Sequence, residues 1–333
     1  MRRVFVALIL SALLVSTAHA QKLNGSGATF PFPIYEKWFS EYNAAHPGVE
    51  IRYRPVGSGA GIRQVAAGVV DFGATDAPMT DYQLASARTR LLHIPALMGA
   101  VVPILNVSGV SNLRFSGEVL ADIYLGRISN WNDPRIAKDN PDESLPNRRI
   151  LVVHRAEASG TSYIFTDYLS KVSSAWANGP GRDTAPNWPS GMGAVRNEGM
   201  ARSVRATEGA IGYVELIYAL QNHLEFGAVR NPAGNWVKAS IEGIAAAAAG
   251  AKQLPADYRA SITNAPGESA YPISSFTWLL VPVRSSDAAK GKLLKDLLTW
   301  IITTGQTQAQ SLAYAPLPAP IAARVLATVG SLR

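Results

Sequence analysis

With 333 residues and no cysteine, the chain has no disulfide framework and no thiolate chemistry. Its net charge of +7 is spread along the sequence, with no run of basic residues and no basic–aromatic repeat. That argues against a nucleic-acid partner and for a solvated surface that mildly favours anions, while the length exceeds what one core comfortably organises, so two lobes are expected.

The first twenty residues read as an export signal. Arg2 and Arg3 precede an apolar run from Val4 to Val15, and Thr17-Ala18-His19-Ala20 offers a small-residue cleavage site before Gln21. The run is too short to favour a permanent membrane span, and no cysteine follows it to carry a lipid. Cleavage lowers the net charge to +5, with 29 basic and 24 acidic residues left.

Pro31 and Pro33 then open a helix in which Ile34, Trp38, Tyr42 and Ala45 recur at helical spacing, and Pro47 ends it. Val49, Ile51 and Tyr53 alternate with charged residues as a half-buried strand. The glycine-rich turn Gly57 to Gly61 leads into a helix with Ile62, Val65 and Ala66 inward. Val70, Phe72 and Ala74 predict a short strand with Thr75-Asp76 at its C-terminal end. Leu91 to Val107 is nearly all apolar and predicts two buried strands or one crossing strand, with Met98-Gly99-Ala100 as a candidate hinge. A short helix is expected over Glu118 to Tyr124, a strand over Ile150 to His154 and an amphipathic helix over Thr161 to Val172. Gly179 to Gly193 reads as a loop. Ala210 to Val214 predicts a strand, Glu215 to Gln221 a helix, and the alanine run Ala245 to Ala249 ordinary helix. Phe276 to Val281 predicts a buried strand, and Ala288 to Thr304 a helix that stops at Gly305.

Three Gly/Ser/Thr-rich segments fall where helices begin: Gly25 to Pro31, Gly57 to Gly61 and Arg155 to Thr161. A helix start offers unpaired backbone N–H groups and a positive dipole end, and so attracts anions. Each piece alone has a plainer explanation. Ser58 or Thr161 is an ordinary cap, Arg155 a surface residue, and Asp76 a cap for the helix after Pro78. Together they are complementary, because hydroxyls, amides and the Arg155 fork all donate to oxygen. Asp76 only accepts, which suits an anion that carries a proton. Hydrogen phosphate has such a proton and sulfate at neutral pH has none, so one carboxylate among donors selects phosphate.

Several long motifs carry a resemblance. They are Gly25-Ser26-Gly27-Ala28-Thr29-Phe30-Pro31, the Gly57-Ser58 segment, Val70 to Pro78, Arg155 with Ser159-Gly160-Thr161-Ser162, and Gly209 to Glu215, with Ile123 to Gly126 and Trp131 also fitting. From about Leu23 to beyond Tyr314 the chain resembles the periplasmic phosphate-binding proteins of high-affinity phosphate ABC importers (PstS-type). The resemblance implies an α/β, two-lobed periplasmic binding protein of type II, each lobe a mixed sheet flanked by helices, with the ligand in the interlobe cleft. It implies inorganic phosphate held by Thr29, Phe30 through its backbone N–H, Ser58, Asp76, Arg155, Ser159, Gly160 and Thr161. It also implies delivery to a membrane-embedded ABC importer permease by a periplasmic monomer, with no cofactor, metal or catalytic residue. Three departures from the family pattern stand out. Glu157 stands where many members have Asp, Ala158 where Gly is frequent, and Gly59-Ala60 where Ser-Gly usually follows Ser58.

The lobes are expected at residues 21–98 with 276–333, and at 99–275, with crossings near Met98-Gly99 and Ser274-Phe276. Competing readings are a secreted phosphatase or phosphoesterase with Ser159 or Thr161 as nucleophile, a receptor for another oxyanion, and a secreted scaffold or adhesin. The phosphatase needs a base or metal, and His46, His93, His154 and His223 are scattered without ligand-like spacing.

Overall fold

A computed structural model describes residues 21–250 and 254–333. The export-signal reading of residues 1–20 lies outside the described residues. The chain begins β1 (Gln21–Gly27), α1 (Phe32–Ala45), β2 (Val49–Pro55), α2 (Ser58–Ala66), β3 (Phe72–Thr75), α3 (Asp81–Ala85) and β4 (Leu91–Asn106). It continues through β5 (Arg114–Phe115), α4 (Gly117–Tyr124), α5 (Pro134–Asp139), β6 (Leu151–Arg155), α6 (Gly160–Val172), α7 (Ser174–Asn178), β7 (Met192–Ala194), α8 (Arg196–Ala206), β8 (Ala210–Glu215) and α9 (Leu216–Gln221). Short strands β9 (Glu225–Phe226), β10 (Ala228–Arg230) and β11 (Trp236–Val237) precede α10 (Ile241–Gly250), β12 (Ser274–Pro282), α11 (Ala288–Ile302), a 3-10 helix (Gly305–Leu312) and α12 (Ala319–Gly330).

The strands lie in the order β2-β1-β3-β12-β4-β8-β6-β7, with β9 also on β4. β1 runs parallel to β2 and β3, β6 runs parallel to β7 and β8, and the middle pairings through β12 and β4 are antiparallel. The apolar stretch at 91–106 is therefore one strand. Its first part, Leu91 to Ala100, pairs with β12, and its second part, Val101 to Asn106, pairs with β8. Pro95 lies at a register shift opposite Thr277/Trp278, where a missing N–H costs the ladder little. Helices cover the sheet because their apolar stripes need burial. Along α1, Ile34, Tyr35, Trp38, Phe39 and Tyr42 are buried at helical spacing.

Several elements, among them β7, α8 and α12, were not in the sequence reading, and two further differences have a clear physical reason. β1 is not legible as a strand, because Gln21 to Gly27 has a single large apolar residue, Leu23. It is central through close backbone approach instead, since a Cβ at Gly25 would overlap the Phe72 ring. Gly305 does not stop α11. That helix ends at Ile302 with Thr303 as its cap, and Gly305 opens the 3-10 helix. Packing there is tight, since the Trp38 indole donates to the Gly305 carbonyl at 2.9 Å and a Cβ would stand 3.1 Å from the ring.

The stretch before β12 ties distant elements together. Tyr258 Oη lies 2.7 Å from Thr328 Oγ1 on α12, while Ser261 and Thr263 donate to buried Asp167 on α6, each at 2.5 Å. Among the described residues no helix is long and apolar enough to cross a membrane.

Candidate functional site

The three helix starts meet where the strand ends of the sheet's two halves face each other. Thr29 and Phe30 lie between β1 and α1, both buried. Their carbonyls are fixed from behind, Thr29 O by Tyr218 Oη at 2.7 Å and Phe30 O by Tyr314 Oη at 2.6 Å. Ser58 opens α2 after Gly57, whose φ of 95° favours glycine. Its Oγ accepts the Asp76 amide at 3.1 Å and lies 3.4 Å from Asp76 Oδ2.

Asp76 follows β3 and is 1% exposed. It caps nothing: α3 is capped by Thr80, whose side chain and that of Gln83 form a reciprocal capping box. Thr277 on β12 donates to Asp76 Oδ1 at 2.7 Å. Burial pushes the Asp76 carboxyl up to about 7, against the opposing pull of the Thr277 hydrogen bond, the Arg155 charge and Ser58.

Arg155 ends β6 and is 2% exposed. Its Nε donates to Glu157 Oε1 at 3.1 Å, and its Nη2 donates to the same oxygen and to Thr29 Oγ1, the latter at 3.2 Å. Nη1 is buried and has no partner among the described residues. Glu157 Oε1 also accepts the Arg196 amide at 3.0 Å. The longer glutamate thus reaches the guanidinium edge and is itself anchored to the start of α8. His154 turns away, as strand alternation requires, and stacks on Trp188 with centroids 5.0 Å apart.

Ser159 is the N-cap of α6, with its Oγ accepting the Ser162 amide at 3.1 Å. That bond uses a lone pair and leaves the hydroxyl proton free to be donated. Gly160 is pressed against the opposite side of the cleft: a Cβ there would overlap both Ser58 Oγ and Asp76 Oδ2. Thr161 is 1% exposed, and its Oγ1 lies 3.4 Å from Asn197 Nδ2.

Of the eight residues singled out from sequence, six lie at the three helix starts, while Asp76 follows β3 and Arg155 ends β6 beside them. Contacts tie Thr29 to Arg155, and Ser58 to Asp76 and Gly160, while Phe30 and Ser159 adjoin them in the chain. Sequence reasoning missed Asn197 and Thr277. Asn197 opens α8, whose sequence RNEGMARSVRA has too few apolar residues to announce a helix. The chemistry of the assembled site is that of many donors, a cation held along one edge by Glu157, and the reluctant carboxyl of Asp76.

The chain matches the family model for the PBP superfamily domain over residues 15–304. It is 44% identical over 300 residues to a phosphate-binding protein PstS of Xylella fastidiosa, covering 89% of this chain and 82% of that one. It is 39% identical over 329 residues to the PstS of Pasteurella multocida, covering 98% and 95%. Among solved structures, a high affinity periplasmic phosphate-binding protein bound with phosphate shares the fold at a TM-score of 0.73 and 22% identity, over 92% of this chain and 93% of that one. The chain belongs to the PBP superfamily and, within it, to the PstS phosphate-binding proteins, a family of substrate-binding proteins with the type II fold.

Proposed function

We propose that this member of the PstS family binds inorganic phosphate between its lobes and delivers it to a membrane-embedded ABC importer. The observation that carries the reading is that Arg155, with Nη1 unpartnered, and Asp76, a carboxyl raised to about 7, are both buried among converging hydroxyls and helix starts. Donors of this kind neutralise a dehydrated oxyanion. Asp76, placed beside Ser58 and Gly160, favours an anion that brings a proton, which hydrogen phosphate does and sulfate does not.

The role of each residue follows from its position. Arg155 meets two oxygens, Thr29, Ser58, Ser159 and Thr161 give hydroxyl protons, Phe30 and Gly160 give backbone amides, and Asp76 takes the phosphate proton. The lobes are residues 21–98 with 276–333, and 99–275. In support, β4 changes partner from β12 to β8 between Ala100 and Val101. The protein acts as a monomeric receptor in the periplasm after removal of its first twenty residues.

This receptor is not an enzyme. Ser159 is engaged as a helix cap, and no histidine is hydrogen-bonded to Ser159 or Thr161 among the described residues. His93, the most buried histidine among the described residues, accepts the Met79 amide, and burial lowers it to about 4. Denaturing the purified protein and assaying the supernatant for inorganic phosphate tests the reading. About one phosphate released per chain is expected. No release, together with turnover of a chromogenic phosphate ester by the folded protein, would replace it with the phosphatase reading.

A further inference from the structure

Asn197 is fully buried at the start of α8 and belongs to none of the three helix starts read from the sequence. Its Nδ2 lies 3.0 Å from Thr29 Oγ1, beside α1, and 3.4 Å from Thr161 Oγ1, on α6. Its Oδ1 accepts the Glu215 amide at 3.2 Å. An amide oxygen that accepts a backbone N–H fixes which end of the side chain is NH2, so Nδ2 presents its two protons to the two threonines.

A hydroxyl has one proton to give and two lone pairs to accept with. Thr29 Oγ1 receives both Asn197 Nδ2 and Arg155 Nη2, the latter at 3.2 Å. Both lone pairs are taken, and only its proton remains. Thr161 Oγ1 receives Asn197 alone, at 3.4 Å, and keeps one lone pair. We infer that Asn197 is a positioning residue that makes Thr29 an obligatory donor and, by taking one lone pair of Thr161 Oγ1, turns the Thr161 proton towards the ligand. It thereby sets the pocket for a ligand whose oxygens accept on every side except the one facing Asp76. This rests on the phosphate reading above and adds the residue that sets hydroxyl direction across the cleft.

Two substitutions separate this role from simple packing. Asn197→Asp keeps size and shape but turns the donor into an acceptor, so the threonine protons turn towards residue 197 and away from the ligand. Asn197→Ala only releases them. In titration calorimetry of ligand-stripped protein, Asn197→Asp is expected to weaken phosphate binding at least 100-fold and Asn197→Ala about 10-fold. In a Thr29→Val/Thr161→Val background, Asn197→Ala is expected to cost less than 3-fold. A packing role predicts the opposite order, with Asp milder than Ala and the alanine effect undiminished in the valine background; that result would overturn the inference. If Asn197→Asp does not fold, the alanine cycle decides alone. Wild-type protein that binds no phosphate would overturn the phosphate reading itself, a result distinct from wild-type binding with the wrong order of variants.

Discussion

The Gly59 amide donates a 3.1 Å hydrogen bond to the Ala158 carbonyl across the cleft, and a Cβ at Gly59 would stand 2.5 Å from the Ala158 Cβ. The methyl group of this contact is therefore on Ala158, and Gly59 leaves the room that it fills.

Gly59→Ala is expected to obstruct closure without harming the fold, since alanine favours a helix over glycine by up to about 1 kcal/mol. Phosphate affinity should fall about 10-fold while the ligand-free Tm holds or rises. Gly59→Ala with Ala158→Gly should recover most of the loss. Additive effects in the double variant would show that the two residues do not oppose each other in the bound state.

Arg155 is expected to supply much of the affinity. Hydrogen bonds to charged groups contribute roughly 1.5–3 kcal/mol, so Arg155→Ala should weaken phosphate at least 10-fold. Glu157→Gln should weaken it less, because one amide oxygen still receives the guanidinium edge, and should also loosen the start of α8 through Arg196. Hydrogen exchange at the first turn of α8 reads the second effect. Wild-type affinity in a folded Arg155→Ala variant would remove Arg155 from the site.

Asp76 links pH to stability and to selectivity. In the ligand-free folded chain it ionises near 7, against an ordinary aspartate value of 3.8. The folded state holds the extra proton between these values. Its contribution to stability is present in full below about pH 4 and is lost as pH rises through about 7. Asp76→Asn removes this loss, and the ligand-free variant should gain stability over wild type at pH 8, on the order of 4 kcal/mol at most, and little at pH 4. The same change should let sulfate bind, because the repelling carboxylate is gone. Urea denaturation at both pH values and sulfate titration of the variant are the checks. An unchanged phosphate-to-sulfate ratio would make Asp76 a structural residue.

Much of the candidate site was legible because the features that mark it are local. Thr29, Ser58, Asp76 and the segment from Arg155 to Thr161 each lie at a strand end or helix start that a short window of sequence marks. The long apolar stretch from Leu91 was legible as buried, though not as one strand rather than two, since β4 is completed by partners more than a hundred residues away. Asn197 and Thr277 were illegible for the same reason. Nothing beside either residue in sequence signals that Thr29 and Thr161, or Asp76, lie within hydrogen-bonding distance. Tyr258 and Thr263, which fasten one short segment to both α12 and α6, depend equally on tertiary contacts that no local pattern records.

The central claim is selective binding of a protonated oxyanion, and calorimetric titration tests it most directly. Wild-type protein is unfolded, dialysed to strip bound ligand, refolded, and titrated at pH 8 with phosphate, arsenate and sulfate at equal ionic strength. The account predicts one site per chain for phosphate, competition from arsenate, which also carries a proton, and sulfate weaker by at least 100-fold. Sulfate binding as tightly as phosphate, or no phosphate binding by refolded protein, would contradict it.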